Sequence, residues 1–330
     1  MQAVAVKTFG ASPELMALPQ PTPHAGQVLV KLEASGLNPF DWRIGAGILK
    51  DRIPHTFPLV LGVDGAGVVE AVGADVQRFK VGDRVVGQFL FGQAGKGSYA
   101  EYAVIDQNAV LIVYPATLSA TSAAALPTAG ATALQLYQQL DLTPGSTILI
   151  VGATGGVGSF LTQLATMKGL RVVATASGDA AGQMQALGAA ETIDYREMSV
   201  DQWIGARYPA GIDGLVDLVS DTAVFARHAS LVHRGGVALS TIWSASGDEL
   251  RERGIRGGNF EVKATAKDLN TLVTMALAGQ LSIQIDQEIS LADVPAALAA
   301  SRAGGARGKT VVVMSSEASR GASPSSRSSR

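Results

Sequence analysis

The stretch "ILIVGATGGVGSFLTQLATMKG" (residues 148–169) carries glycines at 152, 155 and 158, between an apolar run and an amphipathic one. That spacing suits the binding of a dinucleotide pyrophosphate. Gly152 permits a tight turn, Gly155 lets the backbone approach the phosphates, and Gly158 lets helix and strand pack closely. With Ala153, Thr154, Gly156 and Val157 these glycines form the candidate phosphate turn, closed by a helix N-terminus whose free N–H groups attract anions. The next apolar run, "RVVATASGDAA" (residues 171–181), ends Ala174-Thr175-Ala176-Ser177-Gly178 with no acid. An acid there binds the ribose hydroxyls of NAD and would repel the 2′-phosphate of NADPH. Its absence predicts NADPH, with Ser177 and the Gly178 N–H as donors. Asp179 comes two residues late and keeps NADH open.

Other chemistries find fewer residues. The chain has 330 residues, no cysteine, four histidines and a net charge of −2. Thiolate metal sites and disulfides are therefore absent, and His24, His55, His228 and His233 show no metal-binding spacing. No YxxxK pair is present to remove a hydroxyl proton. The charge gives no field for nucleic acid or an anionic membrane, and no apolar run is long enough to span a bilayer. The start, "MQAVAVKTFG", reads as a first strand and not as a signal peptide, so the expected location is cytoplasmic.

The elements that must hold the glycine turn follow from periodicity. Residues 1–120 contain short apolar runs broken by Gly and Pro turns, as in "GQVLVKLEASGLN", "GAGVVEAVGADV" and "KVGDRVVGQF", which predicts a compact β domain. An alanine-rich helical stretch follows from 119. From 146 to 242 strands and helices alternate, the strands being continuous apolar runs. That pattern means a parallel sheet covered on both faces, an α/β architecture. After 264 a helix, the strand "SIQIDQEIS", a short helix and the strand "KTVVVM" are expected to return to the first domain. The predicted division is 1–120 with 265–314, then 121–264 for the cofactor, and a disordered Ser/Arg-rich tail at 315–330.

Six stretches in order resemble the zinc-independent quinone oxidoreductase (zeta-crystallin-like) branch of the medium-chain dehydrogenases/reductases. They are "SGLNPFDWRIGAG", "PLVLGVDGAGVVEAVGADVQRFKVGDRVVG", "GSYAEYAVI", "ATSAAALPTAGATAL", "VGATGGVGS" and "ARGKTVVV". The resemblance covers residues 1–314. It implies a GroES-like β domain, a Rossmann doubly wound domain, and a cleft between them for nicotinamide and substrate. Zinc members of the superfamily have a cysteine at the Asn38-Pro39 position, a histidine segment at Gly62-Val63-Asp64 and a four-cysteine structural lobe that is missing here, so the resemblance implies that both metals are lost.

The resemblance also places Asn38, Thr128 and Thr132 near the nicotinamide, with packing or capping roles as the competing reading. It puts Tyr195 beside the 2′-phosphate, and Ser240, Thr241 and Ile242 along the cofactor. Phe260 and Val262 would close the nicotinamide end. Arg307 and Lys309 would reach the adenosine phosphate and supply the cation that the Ser177 turn lacks. Asp41 is a candidate polar group of the cleft or a bond to its own loop. Trp42, Arg43 and Ile44 stand where many quinone reductases carry tyrosines. Three functions fit: an NADPH:quinone reductase, a reductase of α,β-unsaturated carbonyls, and an NADPH-binding protein without turnover. A homodimer is expected through the Gly236–Ile242 strand as the free sheet edge.

Overall fold

The structure, a computed structural model, describes residues 1–89 and 97–314. The tail expected to be disordered, 315–330, lies outside the described residues.

The N-terminal third is built from β1 (Gln2–Val6), β2 (Glu14–Ala17), β3 (Gln27–Gly36), helix α1 (Pro39–Gly45), β4 (Leu59–Val60), β5 (Asp64–Val72), β6 (Arg84–Gln88), β7 (Tyr102–Asp106) and β8 (Leu111–Val113). Pro39 starts α1, as suits a residue with no N–H to leave unpaired. β1 pairs with β2 and β4, and β3 pairs with β5 and β7, all antiparallel. Strand β5 approaches β3 so closely that a Cβ on Gly67 would lie 2.1 Å from the Lys31 carbonyl oxygen.

The alanine-rich stretch forms two helices, α2 (Ala120–Ala124) and α3 (Pro127–Leu140), because Pro127 cannot continue the first. Then come β9 (Thr147–Val151), α4 (Gly156–Met167), β10 (Arg171–Thr175), α5 (Ala180–Ala186), β11 (Glu191–Ile193), α6 (Val200–Arg207), β12 (Ile212–Asp217), α7 (Thr222–Ala229), β13 (Val232–Ser240), α8 (Gly247–Glu252) and β14 (Arg256–Asn259). These strands make one parallel sheet in the order β11-β10-β9-β12-β13-β14, the Rossmann order. Alternate residues of β9 face opposite ways. Ile148 and Ile150 pack under α3 and α4, whereas Leu149 and Val151 join Phe225 and Ile204 on the other side.

Strand β13 is therefore not the sheet edge, contrary to the expectation for Gly236–Ile242. β14 lies outside it, Arg256–Asn259 pairing with Val237–Ser240. Its middle is Gly257 and Gly258 at φ 111° and 135°. A Cβ at Gly257 would sit 2.1 Å from the Ala238 carbonyl oxygen, so this strand is made by backbone alone.

Helix α9 (Ala266–Leu277) packs on α3, with Leu272 filling the space over Gly130. β15 (Ile285–Ser290), α10 (Val294–Ala303) and β16 (Lys309–Val313) follow. β16 lies between β15 and β3, so the end of the chain joins the first sheet. Among the described residues no helix is long and apolar enough to cross a membrane.

Candidate active site

The glycine turn follows β9, next to β12, where the strand order of the parallel sheet reverses. Gly152 adopts φ 81°, and its N–H donates to Thr175 Oγ1 at 2.9 Å. A Cβ on Gly158 would fall 2.5 Å from Ala153 Cα and from the Gly152 and Ala153 carbonyl oxygens. Gly155 is the N-cap of α4 and supplies no side-chain acceptor. The first-turn N–H groups of Gly156, Val157 and Gly158 therefore point beyond the helix end without intrahelical partners. This is the cradle a pyrophosphate fits. Thr154 Oγ1 donates to the Ala306 carbonyl at 3.1 Å and ties the turn to the approach of β16.

Beside this turn a buried polar network joins the sheet of β16, β3, β5 and β6 to helix α3. Lys309, on β16, is 3% exposed, and its stem covers Gly156. Its ammonium donates to Leu37 O and Asn38 Oδ1, both at 2.7 Å, and lies 4.0 Å from Asp64 Oδ2. Asn38 Nδ2 donates to Asp64 Oδ2 at 2.9 Å. Thr128 Oγ1 donates to Asp64 Oδ1 at 2.6 Å, and the Thr128 N–H donates to the same carboxylate. Gln88 Nε2 donates to Thr128 Oγ1, and Thr132 Oγ1 donates to the Thr128 carbonyl. Burial pushes Asp64 up and Lys309 down, and their mutual attraction opposes both shifts. Every bond to Asp64 comes from a donor, which is the pattern of an ionised carboxylate.

Lys309 thus does not reach toward an adenosine phosphate. Its charge is enclosed at the Asn38 end of the cleft, because β16 inserts beside β3 and turns this side chain inward. The same geometry leaves no fit for a catalytic zinc. Asn38 and Asp64, at the positions of the zinc members' ligand segments, bond to each other, with an ammonium beside them. Among the described residues no group of three or more His, Asp or Glu side chains is placed to hold a metal.

Asp41 is fully buried at the start of α1. Its Oδ2 accepts from the Asn38 N–H at 2.7 Å and from Tyr99 OH at 2.6 Å. It holds the loop that presents Asn38. Burial pushes Asp41 up from 3.8 to about 7, against these two bonds, and Asp64 pushes it further. The folded protein therefore binds a proton at Asp41 that the unfolded chain has released between these values. Stability from this group is full below pH ~4 and falls as pH rises through ~7, a change of about 4 kcal/mol. Asp41→Asn keeps an acceptor for Tyr99 and should flatten that part of the curve. Urea unfolding from pH 4 to 8 measures it; identical slopes in the two proteins would contradict the assignment.

At the adenosine end, Ser177 is buried and Tyr195 OH donates to its Oγ at 3.5 Å. Arg307 Nη1 pairs with Asp179 Oδ1 at 2.6 Å, and Arg307 holds Asp179 below its ordinary value. The Gly178 N–H, expected to be a free donor, instead donates to Asp194 Oδ2 at 2.8 Å. The acid missing from the end of β10 arrives from the end of β11.

After β13 the chain turns sharply. Ser240 Oγ lies 2.8 Å from Ser244 Oγ and accepts from the Ile242 and Ser244 N–H groups, so it shapes the turn. The Thr241 N–H donates to the Asp217 carbonyl, and the Phe260 N–H to the Ser240 carbonyl. Phe260 is buried, and half-buried Val262 packs on the same core. The turn ends in Trp243, at φ 66° and 60% exposed. An open groove of about 540 Å³ separates Ile242 and Trp243 from Trp42, Arg43, Ile48 and Lys50.

Asp64, Tyr99, Gln88 and Trp243 are site residues that sequence reasoning missed. A carboxylate inside the apolar run "PLVLGVDGAG" was the available signal for Asp64; nothing local marks the other three.

Residues 24–115 match the alcohol dehydrogenase GroES-like domain, and residues 187–312 match the zinc-binding dehydrogenase family. A chloroplastic quinone oxidoreductase of Triphysaria versicolor is 32% identical over 328 residues, covering 94% of this chain and 98% of that protein. A quinone oxidoreductase of Sus scrofa is 36% identical over 249 residues, 72% of each chain. The solved quinone oxidoreductase of Coxiella burnetii aligns with a TM-score of 0.84 at 29% identity, covering 95% of this chain and 99% of that one.

Proposed function

The chain belongs to the zinc-independent quinone oxidoreductase branch of the medium-chain dehydrogenases/reductases, and from that premise we propose that it is an NADPH-dependent reductase of quinones that needs no metal. The observation that carries this reading is the buried Lys309–Asn38–Asp64–Thr128 network set against an uncapped phosphate turn. A bound reduced nicotinamide supplies the hydride. The chain's own residues position it. Gly155–Gly158 hold the phosphates at the start of α4. Asn38 and Thr128 are fixed by Asp64 at the cleft wall, and Ile242 stands across the groove from Trp42.

Asp64 and Lys309 neutralise each other, so neither is a ready proton donor. A quinone suits such a site because it is electrophilic before it binds, and its reduced oxygens can take protons from water. The oxidation of NADPH with 1,4-benzoquinone, beside NADP⁺ reduction with a secondary alcohol, tests the reading. Turnover of the alcohol alone would overturn it.

The preference for NADPH rests on Arg307 and Tyr195 flanking Ser177, with Asp179 holding the guanidinium in place and both Asp194 oxygens engaged by the Gly178 and Arg196 N–H groups. NADPH should exceed NADH by at least about tenfold in kcat/KM, roughly 1.4 kcal/mol. Arg307→Glu should erase that preference by placing a negative charge beside the 2′-phosphate. Equal use of both cofactors by the unmodified protein would refute the assignment. A homodimer remains part of the proposal, its mate continuing the sheet at β14.

A further inference from the structure

The groove between α1 and the turn after β13 has a chemistry that hydride transfer to a neutral quinone does not use. Arg43 and Lys50 line it, and no acid does. Arg43 is half-buried. Its described partner is the Trp42 ring, 5.3 Å from the guanidinium carbon. Among the described residues, neither Arg43 nor Lys50 lies within 4.0 Å of a carboxylate, although other arginines of the chain, such as Arg84, Arg171, Arg207 and Arg307, are paired. The protein as a whole is slightly acidic, at −2. Arg302 lies over the same Trp42 ring at 5.4 Å, so the groove wall gathers cations in a chain that is acidic overall.

The opposite wall is aromatic. Trp243 occupies the left-handed region, which a bulky side chain enters only under constraint from its surroundings. The Ser240–Ser244 bonds supply that constraint. The result is a mostly exposed indole held against a groove, in reach of a planar ring.

We propose that this groove selects an anionic acceptor: a quinone that carries a carboxylate or phosphate on a short arm, with its ring on Trp243 and the anion between Arg43 and Lys50. The inference rests on the quinone-reductase reading and narrows its substrate class. A guanidinium and an ammonium suit either anion, the guanidinium by paired N–H donors. Cofactor phosphates are served separately, by the glycine turn.

The test compares a 1,4-benzoquinone bearing a propionate arm with its methyl ester, whose ring has the same electrophilicity. A third compound carries a phosphate ester on a propyl arm. The acid should exceed the ester by at least about tenfold in kcat/KM, mainly through KM, and the ratio should shrink with added salt. In Lys50→Gln and in Arg43→Gln the ratio should fall toward one; Lys50 is exposed, so its replacement does not threaten folding. The faster of the two anions identifies the source. Equal kcat/KM for acid and ester in the unmodified protein overturns the proposal. If none of the compounds is reduced, the quinone-reductase reading fails, and the groove is then judged by tryptophan quenching. Tighter binding of the acid than of the ester, lost in Lys50→Gln, supports the anion site; equal binding overturns it.

Discussion

Replacing Lys309 with methionine should lower the unfolding free energy by about 3–5 kcal/mol at pH 8, and by less at pH 5. Methionine keeps an apolar stem over Gly156 and removes the ammonium. Asp64 then stays buried with no counter-charge, and Asn38 Oδ1 and Leu37 O each lose a donor at 2.7 Å. Burial already pushes Asp64 up, and Lys309 is the main force against it. Without that force the carboxyl climbs further, so the folded variant holds a proton where the unfolded chain has released one. Protonation relieves the unpaired charge, and the cost therefore shrinks as pH falls. Urea unfolding of both proteins at the two pH values decides the matter. A cost that is the same at both, or larger at the lower pH, would rule out the charge pair as its cause.

Gly158→Ala should cost at least about 1–3 kcal/mol of stability and weaken dinucleotide binding by more than about tenfold, near 1.4 kcal/mol. The added carbon meets Ala153 Cα and two carbonyl oxygens at 2.5 Å. All three are backbone atoms of the phosphate turn, so no rotamer change relieves the clash. Helix α4 must move off β9 and carry its N-terminus away from the phosphates. Gly205→Ala in α6 is the control, because nothing lies within 4 Å of that position. It should gain about 0.5–1 kcal/mol through backbone entropy. Thermal unfolding and a cofactor titration read both effects. Unaltered cofactor affinity in Gly158→Ala would show that the turn tolerates the shift.

The alternation from 146 to 242 was readable because buried parallel strands are continuous apolar runs, and "TILIV" and "RVVAT" have no other stable environment. β14 was not, because "RGGN" pairs through glycine backbone and carries no side-chain pattern. The glycine turn was legible because each glycine answers a local steric need. The lysine in "ARGKTVVV" was expected at the adenosine phosphate and not in an enclosed network, since lysine is seldom fully buried. Only the insertion of β16 beside β3 brings residues 38, 64 and 309 together. The Gly178–Asp194 bond was hidden for a similar reason. It joins the ends of two neighbouring strands, and strand adjacency is a property of the fold and not of either segment.

The place of β16 also fixes the order in which the molecule can be completed during synthesis. β3 and β5, with Asp41 and Asp64, leave the ribosome early. The strand that completes their sheet, and the ammonium that neutralises Asp64, arrive only with residues 309–313. Until then the nascent chain carries an open edge on β3 and two carboxylates that cannot be enclosed while ionised. The parallel sheet between residues 147 and 259, by contrast, has all of its own strands before then. Contacts spanning more than 270 residues, such as Lys309 to Asn38, make the last step slow. The cleft wall built on Lys309 cannot be complete before residue 309 has been made.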